Sequence, residues 1–177
     1  IWNLKVKAIG RKDIPEKLTD PSSLNRKIAE QSLTFLNGTV KEIKEFRISN
    51  FCTLTFKRYG TDQSEKEILA TIKEMQNEIV NETEILLLLT PPQIKPNNNF
   101  GFLQQEIDFV NEIIQSKRVV LYHYGNPYAL KFFKTKNTVA TVIVYQNFKE
   151  FQDVATEHFQ GTFEAKGKLP FKPTVSL

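Results

Sequence analysis

His123, His158 and Cys52 are the residues of this 177-residue chain best suited to act as base, metal ligand or nucleophile. They lack the short ligand spacing of a metal site. No hydroxyl or thiol has a positioned base beside it in sequence. His123 falls inside an apolar run and reads as a partly buried strand residue, and His158 falls on a helix face. A second candidate is "GTFEAKGKL" (161–169), which superficially resembles a phosphate-cradling loop. Five residues separate its glycines where that loop has about four, Leu169 stands where a Ser or Thr belongs, and a helical pattern precedes it instead of a strand. None of the seven glycines follows the G-x-G-x-x-G spacing that brings backbone to a dinucleotide pyrophosphate. Asn-Gly-Thr (37–39) and Asn-Glu-Thr (81–83) match glycosylation tripeptides, which occur often by chance. The carboxylates are many but sit on helix-like faces, where solvation is the default. No constellation for an independent small enzyme can be assembled from neighbours in sequence, and no cofactor or metal is expected.

Composition narrows the partners. Lys and Arg number 24 against 20 Asp and Glu, for a net charge of +4, and the two signs alternate, as in "EKEILATIKEMQNE" (65–78). Without a basic stripe there is no footprint for nucleic acid. One cysteine excludes an internal disulfide scaffold. No run reaches the roughly 20 apolar residues of a membrane-spanning helix; "EILLLLTPP" (84–92) is far shorter and reads as a buried strand.

Any site must therefore be built by the fold. Residues 1–20 lack a clean period and read as a linker, leaving 21–177 as the domain. Asp20 and Pro21 suit the cap and first position of a helix whose Leu24, Ile28 and Phe35 would share one face. "FCTLTFK" (51–57) reads as a strand. Ser64 and Glu67 form a capping-box pattern ahead of Ile68, Ile72, Met75 and Ile79 at helical spacing. The continuous apolar run "EILLLLT" (84–90) predicts a strand covered on both faces. "PPQIKPNNNFGF" (91–102) is a loop by composition, and Leu103, Ile107, Val110 and Ile114 mark another helix. "RVVLYHY" (118–124) and "TVATVIVYQ" (138–146) are further strands. A final helix carries Phe148, Phe151, Ala155 and Phe159 on one face and closes at Gly161. Apolar strands alternating with amphipathic helices predict an α/β fold: a three-layer α/β/α sandwich with a mostly parallel sheet, flavodoxin-like.

In such folds ligands gather beyond the carboxyl ends of the strands. The corner in "LYHYGNPYALKFF" (121–133) lies there. Its local chemistry is also structural: Gly125 permits a sharp turn, Asn126 suits a helix cap, and Pro127 suits the first helical turn, where its missing N–H costs nothing.

Several stretches together resemble the C-terminal α/β domain of glycoside hydrolase family 3, the family of β-N-acetylglucosaminidases and β-glucosidases. An apolar strand followed by Gly-x-Pro-Tyr-Ala is matched by "VVLYHYGNPYAL", and a following strand ending near Tyr by "ATVIVYQN". A helix running into Gly and then Gly-[Lys/Arg]-Leu-Pro is matched by "FQDVATEHFQGTFEAKGKLPF". Upstream, "AEQSLTFLNG" is similar to the family's Ser-[Ile/Leu]-Thr-Leu-Leu-Lys-Asn, without its Lys. Order and spacing agree from about Arg118 to Phe171, less closely over Leu24–Asn37, and weakly from Thr39 to Glu84. Glu164-Ala165-Lys166 replaces the usual Pro-Ser/Thr before Gly-Lys-Leu-Pro.

The resemblance implies a (β/α)₈ barrel of about 250 residues ahead of this domain, carrying the nucleophilic Asp. The first 20 residues would then be the linker from that barrel. In glucosidase-type members the acid/base Glu comes from a loop of the C-terminal domain; in N-acetylglucosaminidase-type members a His-Asp pair on the barrel does that work. The 91–102 loop holds no Glu, Asp or His, and the first carboxylate beyond it, Glu106, lies inside a predicted helix. The expectation is thus an accessory domain of a retaining, exo-acting family 3 enzyme of the N-acetylglucosaminidase type. It would have the barrel as partner, carbohydrate bound through the barrel, no catalytic residue of its own, and Asn98, Asn99 and Asn126 as candidate substrate contacts. A bacterial periplasmic or secreted location goes with that expectation, any signal lying upstream. The alternative is a free-standing flavodoxin-like binding module without catalysis.

Overall fold

The computed structural model describes residues 20–58 and 63–169. Most of the expected linker, residues 1–19, and the end of the family-like Gly-Lys-Leu-Pro stretch lie outside the described residues. The elements in chain order are α1 (Ser22–Ser32), β1 (Thr34–Asn37), α2 (Val40–Arg47), β2 (Cys52–Lys57), α3 (Glu65–Ile79), β3 (Glu84–Thr90), α4 (Gln104–Ser116), β4 (Arg118–His123), β5 (Ala140–Ile143) and α5 (Lys149–Gln160). Short 3₁₀ segments occupy Asn97–Gly101, Pro127–Phe132 and Thr135–Asn137.

Five strands form one sheet in the order β1-β5-β4-β3-β2. The pairs β2–β3, β3–β4 and β4–β5 are parallel, and β1 joins β5 antiparallel at the edge. From β2 to β5 the chain steps across the sheet in one direction. Right-handed crossovers then place every connection on the same face. Accordingly Ile68 and Ile72 of α3, Ile107 and Ile114 of α4, and Leu130 share one core with Leu87 and Leu121. The opposite face is covered by α1, α2 and α5, through Ala29, Phe46 and Val154 against Val120, Tyr122 and Val142. The three-layer sandwich with a mostly parallel sheet is therefore present, with apolar strands because both faces are buried.

The caps behave as their residue types dictate. Pro21 already has helical dihedrals, and Asp20 Oδ1 accepts from the Ser22 N–H at 3.1 Å. Ser64 and Glu67 form the reciprocal capping box of α3, with the Ser64 N–H donating to Glu67 Oε2 at 2.7 Å. Gly161 ends α5 in the left-handed region at φ 81°.

Two expectations are corrected. Leu24, Ile28 and Phe35 do not form one buried helix face. The helix stops at Ser32, Phe35 lies in β1, and Leu24 and Ile28 are exposed, while Ala29 and Leu33 face the core. The reason is β1 itself: four residues following the helix pair with β5 and pull the chain out of helical register. Phe148, expected in the core face of the last helix, is 56% exposed just before it. The helix starts at Lys149, so Phe148 sits at its cap with extended dihedrals.

Candidate functional site

The carboxyl ends of the four parallel strands open into one cleft of about 830 Å³. Its wall is built from Lys57 at the end of β2, Thr90, Pro91, Gln93 and Ile94 at and after the end of β3, Tyr124 to Tyr128 after β4, and Tyr145 to Phe148 after β5. It is mostly apolar, and it gathers Ile94 (86% exposed), Tyr128 and Phe148. Among the described residues, none that lines it is an Asp, Glu or His.

The post-β4 wall is the Gly-Asn-Pro corner. Asn126 Oδ1 accepts from the Tyr128 N–H at 3.0 Å and caps the 3₁₀ turn opened by Pro127, as its residue type predicts. Gly125 has φ +140°, and a Cβ there would lie 3.1 Å from Pro91 Cδ, so the corner packs directly on the neighbouring wall. Beneath it, His123 is completely buried; its Nε2 donates to the Asn126 carbonyl at 2.9 Å, and its Nδ1 has no partner. Burial pushes this imidazole down to about 4, so it is neutral in the native state. His158 is core-packed beside Tyr122, with its pKa also pushed down to about 4 by burial. Cys52 is half-buried in β2. Among the described residues no group of three or more His, Cys, Asp or Glu could hold a metal ion.

The post-β3 wall is the loop expected from 91–102. Asn98, Asn99 and Phe100 run consecutively in the left-handed region, with φ of 50°, 55° and 58°. Asn tolerates that conformation, which explains the Asn-rich composition. Phe100 does not favour it, and its ring is held there by complete burial against Phe132. The turn is closed by Gln93 N–H donating to Phe100 O at 2.8 Å.

Of the candidate substrate contacts, Asn126 lines the cleft, but its side-chain oxygen is committed to the cap. Asn98 and Asn99 are exposed on the loop tip and stand outside the cleft wall. Glu106 is also outside it. Its carboxylate is buried, accepting from the Leu103 N–H at 2.7 Å and from Arg58 at 3.1 Å, beside a separate cavity of only about 70 Å³. Sequence reasoning did not find Ile94, Tyr128, Tyr145 or Phe148, because nothing in their local spacing marks them as neighbours.

No protein-family model and no curated protein matches the chain. Solved structures do. Similarity extends to "Beta-glucoside phosphorylase BglX", with a TM-score of 0.62 at 13% identity over 99% of this chain and 37% of that one. The same protein bound to 2FGlc gives 0.56 at 13% identity, over 86% and 31%. A glycoside hydrolase family 3 β-N-acetylglucosaminidase from Paenibacillus sp. str. FPU-7 gives 0.60 at 13% identity, over 92% and 34%. The chain has the fold of a segment of a glycoside hydrolase family 3 enzyme. It spans about a third of the length of each solved structure it matches. That shared fold is the sandwich described above. Among the described residues, the cleft at its strand ends carries aromatic and amide groups without a carboxylate.

Proposed function

We propose that the chain is the accessory C-terminal α/β domain of a retaining, exo-acting glycoside hydrolase family 3 enzyme of the β-N-acetylglucosaminidase type. In this reading a (β/α)₈ barrel of the same polypeptide packs over the strand-end cleft and supplies both catalytic groups, and carbohydrate is bound through the barrel. The observation that carries the reading is that, among the described residues, no carboxylate or imidazole lines the cleft wall. Retaining hydrolysis needs two groups about 5–5.5 Å apart across the scissile bond, and a general acid must reach the leaving oxygen. Glu106, the first carboxylate after the loop, is already held by two hydrogen bonds away from the cleft.

The fold likeness includes proteins described as a phosphorylase of β-glucosides and as a β-N-acetylglucosaminidase, so fold does not choose between types. The carboxylate-free wall favours the type whose acid lies on the barrel. Exposed Ile94, Tyr128 and Phe148 suit a protein surface laid over the cleft. A bacterial periplasmic or secreted location belongs to the same reading and rests on the family resemblance.

The test is hydrolysis. The chain alone should release no 4-nitrophenol from 4-nitrophenyl N-acetylglucosaminide or glucoside. The full-length enzyme should turn over the first in preference to the second. Turnover by the isolated chain overturns the accessory role. A full-length enzyme that takes only the glucoside overturns the type.

A further inference from the structure

A buried ion pair lies behind the post-β3 wall of the cleft. Arg58, directly after β2, is 9% exposed and Glu106, in the first turn of α4, is 1% exposed. Arg58 Nη2 donates to Glu106 Oε2 at 3.1 Å and to the Gly101 carbonyl at 2.5 Å. Glu106 Oε2 in turn accepts from the Leu103 N–H at 2.7 Å. One guanidinium thereby joins the end of a strand, the start of a helix and the returning arm of the 91–102 loop.

That arm is coupled to the cleft. Phe100, next to Gly101, accepts from the Gln93 N–H, and a Cβ on Gly101 would lie 2.8 Å from Gln93 Cγ. Gln93 and Ile94 are wall residues. Burying two charges carries a desolvation cost that close pairing only partly offsets, and Arg58 Nε stays buried without a partner, so the interest of this pair lies in the arrangement it fixes rather than in net stability. Here the geometry defined is that of three consecutive non-glycine residues in the left-handed region, a conformation with little intrinsic preference to persist.

We propose that Arg58 is the positioning residue of the cleft: its bonds to Gly101 and Glu106 hold the 91–102 loop in the shape that presents Gln93 and Ile94 to whatever fills the cleft. The role does not depend on the glycosidase reading, because it concerns the wall and not the partner.

Amide hydrogen exchange on the full chain tests it. The reporters are the Gln93 and Phe102 amides, bonded to Phe100 O and Asn99 O within the loop. The references are the Tyr124 and Val144 amides, bonded to Leu89 O and His123 O within the sheet. Arg58→Met removes both bonds while keeping apolar bulk. The loop reporters should exchange roughly ten- to a hundredfold faster, the size of effect a lost charged hydrogen bond produces, with the references unchanged. Should Arg58→Met not fold, Glu106→Gln keeps an acceptor for Leu103 and removes only the charge. It should speed the same two reporters by a smaller factor. Unchanged loop exchange in the folded variant, or loop and sheet amides accelerating together, overturns the proposal. The second result would make the pair a general core contact.

Discussion

Tyr122 Oη and His158 Nδ1 lie 2.7 Å apart, joining the central strand β4 to helix α5 inside the core. Which of the two donates is set by the imidazole tautomer, and both arrangements keep the ring neutral. Burial holds the pKa of both His158 and His123 at about 4, against 6.5 for a solvated imidazole. The unfolded chain therefore binds more protons than the native one between these values. Stability is complete above about pH 6.5 and declines as the pH falls toward 4. For His123 alone the loss is on the order of 3 kcal/mol. Urea midpoints measured from pH 7.5 to 4.5 should fall through this window, and His123→Gln should flatten the slope. A pH-independent midpoint contradicts this account.

The corner after β4 should report as structure. Asn126→Ala removes the cap on the Tyr128 N–H and should cost about 1 kcal/mol. Gly125→Ala should cost more, because φ of +140° and Pro91 Cδ at 3.1 Å both oppose a Cβ. Chemical denaturation of the two variants checks the order.

Gly167, in the family-like Gly-Lys-Leu stretch, donates its N–H to Leu33 O at 2.8 Å and lies hard against β1. A Cβ there would be 2.2 Å from Ser32 O. Gly167→Ala should release this segment from β1, lowering Tm and exposing the Gly167 region to limited proteolysis. Wild-type Tm and wild-type resistance together would contradict the contact.

If the chain is the accessory domain proposed above, Glu106→Gln in the enzyme that carries it should leave activity within a few-fold of wild type, with any loss traced to loop position. A collapse of turnover that azide or formate restores would identify Glu106 as the acid and overturn the proposed N-acetylglucosaminidase type.

Tyr128→Ser and Phe148→Ser remove apolar surface from residues that are more than half exposed, although the Phe148 ring also meets Phe151 at 6.2 Å. The isolated chain should keep its stability within about 0.5 kcal/mol. If the barrel covers the cleft, the full-length enzyme should lose several degrees of Tm. Equal behaviour in both contexts would count against that docking face.

The sequence by itself determined what depends on neighbours along the chain. The capping box and the 3.6-residue spacing of Ile68, Ile72 and Ile79 marked α3. The continuous apolar runs marked β3 and β4, and Asn126-Pro127 marked the turn after β4. The lack of any acid in the 91–102 loop was equally legible. Only the tertiary structure decided the rest. β1 is four residues long and exists because β5 offers it an antiparallel edge, so the local pattern "SLTFL" reads on as helix. α2 is two turns whose buried Ile43 and Phe46 join the core built by β4, β5 and α5. The cleft draws its wall from the ends of four strands, and Arg58 meets Glu106 across 48 residues. Periodicity carries information about which face of an element is apolar. Which elements become neighbours depends on burial summed over the whole sheet, and that sum has no local signature.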